Sequence, residues 1–224
     1  MVRKRDKRIT CSGSRHNLRS AVEATVRSVK RSLPILFCLI FILACNGLTQ
    51  ATATNTPAPT AVTSVDIPHA TITYYDIIGS TENELRNQLD MYGPVGPDGY
   101  QGEAITNWHI QWTWDGYGTE TCDLRTARTT YDIQVTMPRW VPSKNASPDL
   151  ITKWGIYILA LANHEKGHVD NVIANHPDVI DAIHRATCTT AEAKAQEVLT
   201  RIRQYDIDYD AMMDHGITQG ARFP

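Results

Sequence analysis

Trp154-Gly155-Ile156-Tyr157-Ile158-Leu159-Ala160-Leu161-Ala162-Asn163-His164-Glu165-Lys166-Gly167-His168 is an apolar run that ends in an H-E-x-x-H pattern. Upstream, Ser147-Pro148-Asp149 offers a capping serine, a proline for the first turn and an early acid. A helix is therefore predicted from there to about Ala174. Tyr157, Leu161, His164, Glu165, His168 and Val172 recur along it at spacings of three and four, on one inward-facing stripe. His164 and His168 then stand one turn apart and can share a metal ion. Glu165 stands beside them, placed to take a proton from a metal-bound water. Zinc hydrolase chemistry is the first function class that this suggests. A purely structural cluster is the alternative, but it would leave several buried polar atoms needing partners.

The segments before this helix read as strands. Ile72-Thr73-Tyr74-Tyr75-Asp76-Ile77 is β-branched and aromatic. Thr81-Glu82-Asn83-Glu84 then opens a short helix as a capping box, to about Met91. After the turn-rich residues 93–99, Trp108, Ile110, Trp112 and Trp114 alternate with polar residues, a strand whose tryptophans are expected in the core. The chain turns at Asp115-Gly116-Tyr117-Gly118 and returns through Cys122 and Leu124 to Tyr131, Ile133, Val135 and Met137. A parity change between Leu124 and Tyr131 predicts a bulge or break near Ala127. After the H-E-x-x-H helix, Pro177-Asp178 starts another helix and Thr189-Thr190-Ala191-Glu192 a third, running towards Tyr209. Strands first and helices afterwards predict an α+β domain, a small and mainly antiparallel sheet followed by the helical part.

Charge divides the chain. Residues up to Arg31 hold 10 of the 22 Lys and Arg but only Asp6 and Glu23 of the 24 acids. The part after Cys45 keeps 12 basic and 22 acidic side chains, a balance of −10 that disfavours a nucleic-acid partner. Lys30-Arg31 precede the apolar residues 33–45, a run of signal-peptide length and too short to span a bilayer comfortably. Its end, Ile42-Leu43-Ala44-Cys45, resembles a bacterial lipobox, which makes Cys45 the expected lipidation site; ordinary secretion is the alternative. Residues 1–45 are thus the expected targeting segment, 46–64 a Thr/Pro-rich tether and 65–224 the folded domain. Export places Cys122 and Cys188 in an oxidising compartment, where they most simply form one disulfide.

Two histidines do not complete a catalytic zinc site, which usually takes three protein ligands and an open position. The metzincin continuation fails, because Asn171 and Ala174 occupy its glycine and third-histidine positions. His215, before Gly216 where the last helix should end, is the leading third ligand. Asp210 is the alternative, as a ligand or as a group that orients an imidazole. His69, His109, His176 and His184 fit less well.

These segments carry a resemblance. Glu84-Leu85-Arg86, Gly93-Pro94, Thr106-Asn107-Trp108, Met137-Pro138-Arg139-Trp140, the H-E-x-x-H pattern, Tyr209-Asp210 and Asp214-His215-Gly216-Ile217-Thr218-Gln219-Gly220-Ala221 are similar to the bacterial domain of unknown function 922. Members of that family are described as predicted secreted zinc-dependent proteases. The chain departs from the family in one place, Met213, where a threonine is common. The resemblance implies a zincin-like protease domain with Zn²⁺.

Together these readings give an exported, lipid-anchored zinc metallopeptidase facing the extracytoplasmic space, with a peptide or protein substrate. His164, His168 and His215 are the expected ligands and Glu165 the base, with Tyr209 as a hydrogen-bond donor to the reacting oxyanion. A strand such as residues 131–137 would pair with the substrate by its edge. A non-catalytic, metal-stabilised envelope lipoprotein that binds or assembles is the rival reading.

Overall fold

A computed structural model describes residues 59–96 and 99–224. The targeting segment, the lipidation site Cys45 and the tether as far as residue 58 lie outside the described residues. Val62, at the end of the tether by composition, packs on the core, and its carbonyl accepts a hydrogen bond from Trp154 Nε1 at 3.2 Å.

The order of elements is β1 (Thr71–Ile77), α1 (Glu82–Tyr92), β2 (Ile105–Asp115), β3 (Asp123–Trp140), α2 (Pro148–Asn175), α3 (Pro177–His184) and α4 (Ala191–Met213), then a short 3-10 turn at Ile217–Gln219. The class is α+β, as expected. The sheet has three strands in the order β1-β3-β2. It is mixed rather than mainly antiparallel, since β1 runs parallel to β3 and β2 runs antiparallel to it. Parallel neighbours need a long crossover, which α1 and the β2 excursion provide. β3 is therefore central, and residues 134–136 pair on both sides. That corrects the expectation that residues 131–137 offer a substrate edge. The strand with an open side next to α2 is β2.

Local rules account for most boundaries. Thr81 Oγ1 accepts from the Glu84 amide at 3.3 Å, and the Glu84 carboxylate accepts from the Ser80 amide at 2.6 Å. Ser147 caps α2 through the Leu150 amide, with Pro148 at its start. The irregularity expected near Ala127 is present. The β2–β3 register runs from Thr113↔Arg128 to Asp115↔Asp123, and the Asp115 amide donates to Thr126 Oγ1 instead of the ladder.

The core lies between the sheet and the helices. Ile133, Val135 and Met137 of β3 and Ile110 and Trp114 of β2 are buried against α2, α3 and α4. Trp154 and Tyr157 of α2 pack edge-on against Phe223 at 5.6 and 5.3 Å, which ties the residues after the 3-10 turn to α2. Cys122 and Cys188 form a disulfide that joins the β2–β3 turn to the approach to α4. Among the described residues no helix is long and apolar enough to cross a membrane.

Candidate metal centre

α4 runs one turn beyond Tyr209, and that turn decides the site. Asp206 and Asp210 lie at i and i+4, so both carboxylates face the histidines of α2. His168 Nε2 lies 3.0 Å and His164 Nε2 3.2 Å from the same oxygen, Asp210 Oδ1. His164, His168 and Asp210 offer ligand atoms that all fall within 4.8 Å of one another. Such an N₂O set suits zinc, whose tetrahedral ligands at about 2.0–2.1 Å stand about 3.3 Å apart.

Each imidazole is held from behind. His164 Nδ1 donates to Gln219 Oε1 at 2.9 Å, and His168 Nδ1 donates to Asp206 Oδ1 at 3.1 Å. These acceptors fix the tautomers that leave both Nε2 atoms free to bind a cation. Asp206 is itself held, by Asn171 Nδ2 at 2.9 Å and Trp108 Nε1 at 2.9 Å. The array fits a cation chemically, with two pre-oriented imidazoles and one carboxylate converging, and with the Nδ1 atom of each imidazole already satisfied.

Electrostatics agree. Burial opposes the charge of Asp210, but hydrogen bonds from His164 and His168 outweigh it and hold the carboxyl well below its usual range. Burial would lower the pKa of His168, yet its bonds to Asp206 and Asp210 push it up to about 10. Without a cation, a proton takes over the attraction to these carboxylates.

Glu165 is 4 % exposed, and that burial raises its pKa. Its Oε2 accepts from Thr106 Oγ1 of β2 at 2.7 Å. Its Oε1 takes no hydrogen bond among the described residues. Glu165 and both histidines line a cavity of about 660 Å³ that runs along residues 103–108, the approach to β2 and its first four residues.

The other candidates take different places. His215 lines the same cavity but stands apart from the three ligand atoms, with Nδ1 4.0 Å from Asp210 Oδ2 and its ring stacked on Tyr100 at 4.1 Å. The reason is local. Asp214, His215 and Gly216 all have positive φ, so the chain reverses sharply and turns the imidazole outward along the cavity wall. Asp210, the alternative, supplies the third converging atom.

Tyr209 is stacked on His164 at 5.2 Å and edge-on to His168 at 5.0 Å, and its hydroxyl accepts from Gln219 Nε2 at 3.2 Å. It sits beneath the imidazoles rather than among the cavity-lining residues, so its place is a supporting one. A Cβ at Gly167 would lie 2.6 Å from Tyr209 Cζ, and only glycine there lets the ring in. Gly216 has the same kind of necessity: its φ is 84°, and a Cβ would come within 2.9 Å of His164 Cγ.

His176 donates to the Ile173 carbonyl oxygen and packs on Tyr131, while His69, His109 and His184 are exposed and remote from the cluster. Asp170 pairs with Lys166, and Asp181 pairs with Arg185 rather than with His184. Thr106, Asn171 and Gln219 were missed as site residues because no local motif announces them. The landmarks Thr106-Asn107-Trp108 and Gln219 were the available signal.

A family model described as "Bacterial protein of unknown function (DUF922)" matches residues 72–216, from β1 through His215 and Gly216. The chain belongs to this family. The matched stretch holds Thr106, His164, Glu165, His168, Asp206 and Asp210, and Gln219 lies just beyond it. No curated protein and no solved structure gives a match.

Proposed function

We propose that this DUF922 chain is an exported zinc metallopeptidase, anchored by lipid at Cys45, with His164, His168 and Asp210 as its metal ligands. The observation that carries the reading is the convergence of the three ligand atoms beside a buried glutamate in a cavity wall. Bound there, a zinc ion would supply Lewis-acid chemistry, acidifying a water and polarising a carbonyl. Glu165 is the base. Thr106 holds its Oε2, and the unbonded Oε1 accepts the water proton and delivers it to the leaving amine. Burial raises its pKa towards the range in which one carboxyl can do both.

His164 and His168 are kept in register by Gln219 and Asp206, so little reorganisation accompanies the reaction. His215, on the cavity wall, is placed to meet a reacting oxygen. An extended peptide pairing antiparallel with the open side of β2 at residues 105–108 would cross the centre beside Glu165. This is a zincin-like use of an edge strand over an active-site helix. The disulfide is compatible with a site outside the cytoplasm.

Zinc analysis paired with a peptide-library cleavage assay tests the proposal. Glu165→Gln should keep the metal and lose hydrolysis by at least a hundredfold. Full activity in that variant would sink the role of Glu165. A metal-loaded protein that cleaves nothing would favour the envelope binding module instead.

A further inference from the structure

The domain after Cys45 carries 12 basic side chains against 22 acidic ones, so its cations readily find carboxylates. Eight of the 12 are ion-paired. Two of the remaining cations, Arg203 and Arg222, line the cavity, and neither has a carboxylate within ion-pair distance among the described residues. Meanwhile the cavity's own acids are engaged. Glu165 is bonded to Thr106, Asp206 to His168, Asn171 and Trp108, Asp210 to both imidazoles, and Asp90 and Glu103 to Arg86. Each of these acids thus has a protein partner on at least one oxygen, though Glu165 Oε1 and Glu103 Oε2 accept no hydrogen bond, whereas the two guanidiniums pair with no carboxylate among the described residues.

Their placement has an order. Arg203 lies over the Trp108 ring, with Cζ 5.1 Å from its centroid. This occupies a face of the guanidinium and leaves its in-plane N–H groups for an anion. Arg222 is at the other end, since its neighbour Phe223 accepts from Arg86 Nη1, which also binds Glu103. Residues 103–108, of which 105–108 are strand, separate the two ends by at most roughly 17 Å. The metal ligands and Glu165 line the cavity between them. A peptide antiparallel to β2 runs from Trp108 towards Glu103.

Resting on that pairing, we propose that the cavity selects acidic peptides through two carboxylate anchors. Arg203, braced on Trp108, pairs with a carboxylate on the N-terminal side of the scissile bond. Arg222 pairs with one on the C-terminal side.

The test is binding, read apart from turnover. Zinc-loaded, full-length Glu165→Gln protein is titrated into fluorescein-labelled nonapeptides in which two positions, at varied spacing, are each Glu or Gln. At the best spacing, each Glu is expected to bind about five-fold more tightly than Gln at low salt, with the advantage fading at high salt. Adding Arg203→Gln should erase the advantage of the N-terminal Glu alone, and Arg222→Gln that of the C-terminal Glu alone. Zinc content and unfolding midpoint should not move in either. Equal binding of Glu and Gln peptides, a preference that survives both substitutions, or no peptide binding would each overturn the proposal. Cleavage by the unsubstituted protein is scored separately. Selective binding without cleavage would remove the hydrolytic reading and leave the anchors standing, and cleavage without acidic preference would do the reverse.

Discussion

Asp206 accepts a hydrogen bond from His168 Nδ1 at 3.1 Å, on the edge of the ring turned away from Asp210. The same carboxylate receives Asn171 and Trp108, so it couples α2, α4 and β2 at one point. Asp206→Ala should weaken zinc binding about 10–100-fold, measured by chelator competition. It also leaves the donors of His168, Asn171 and Trp108 short of a partner, at a cost of about 1–3 kcal/mol in urea unfolding. Unchanged zinc affinity would show that His168 needs no partner behind it.

The ligand set separates two neighbours. Asp210→Ala should lose stoichiometric zinc, whereas His215→Ala should retain it and lose activity. Elemental analysis of the two purified variants decides the matter. Loss of metal in His215→Ala, with metal kept in Asp210→Ala, would reverse the assignment.

Metal binding should release a proton. In the cation-free protein the pKa of His168 is pushed up to about 10, above the ordinary histidine value of about 6.5. The stabilisation from its charge is thus fully present below about pH 6.5 and is lost as pH rises through about 10. Zinc requires the neutral ring, so binding at pH 7.5 must displace that proton. Calorimetry in buffers of differing ionisation enthalpy should report about one proton released. A buffer-independent enthalpy would contradict the charge state.

Gly167→Ala forces a methyl group against the Tyr209 ring and should destabilise the fold by about 1–3 kcal/mol, despite alanine's better helix propensity. Tyr209→Ala in the same chain should recover part of that loss. A double-mutant cycle by urea unfolding would expose additivity, which would mean that the two residues do not meet.

The disulfide links residues 66 apart in sequence. Its removal by Cys122→Ser with Cys188→Ser should cost about 4 kcal/mol by the loop-entropy relation. An unfolding midpoint indifferent to reductant would refute that contribution.

Much of this molecule is legible locally. Ser147-Pro148-Asp149, the capping box at Thr81 and the alternation from Trp108 to Trp114 specify elements through contacts a few residues apart, and those elements formed where expected. The helical spacing of His164, Glu165 and His168 likewise put all three on one buried face. Strand order was not legible. The partner of β1 depends on a crossover through residues 78–122, and no residue in β1 specifies it.

The third ligand atom belongs with strand order. His215 and Asp210 are both near the C-terminal end of α4, and both residue types bind zinc. Only the antiparallel packing of α4 on α2, made close by Gly167 and turned by the positive φ of Asp214, His215 and Gly216, brings Asp210 to the histidines and leaves His215 on the wall. Sequence alone determined which residues share a helix face, because that follows from a 3.6-residue period. Which faces meet is settled by the packing of elements remote in sequence, and that the tertiary structure alone decided.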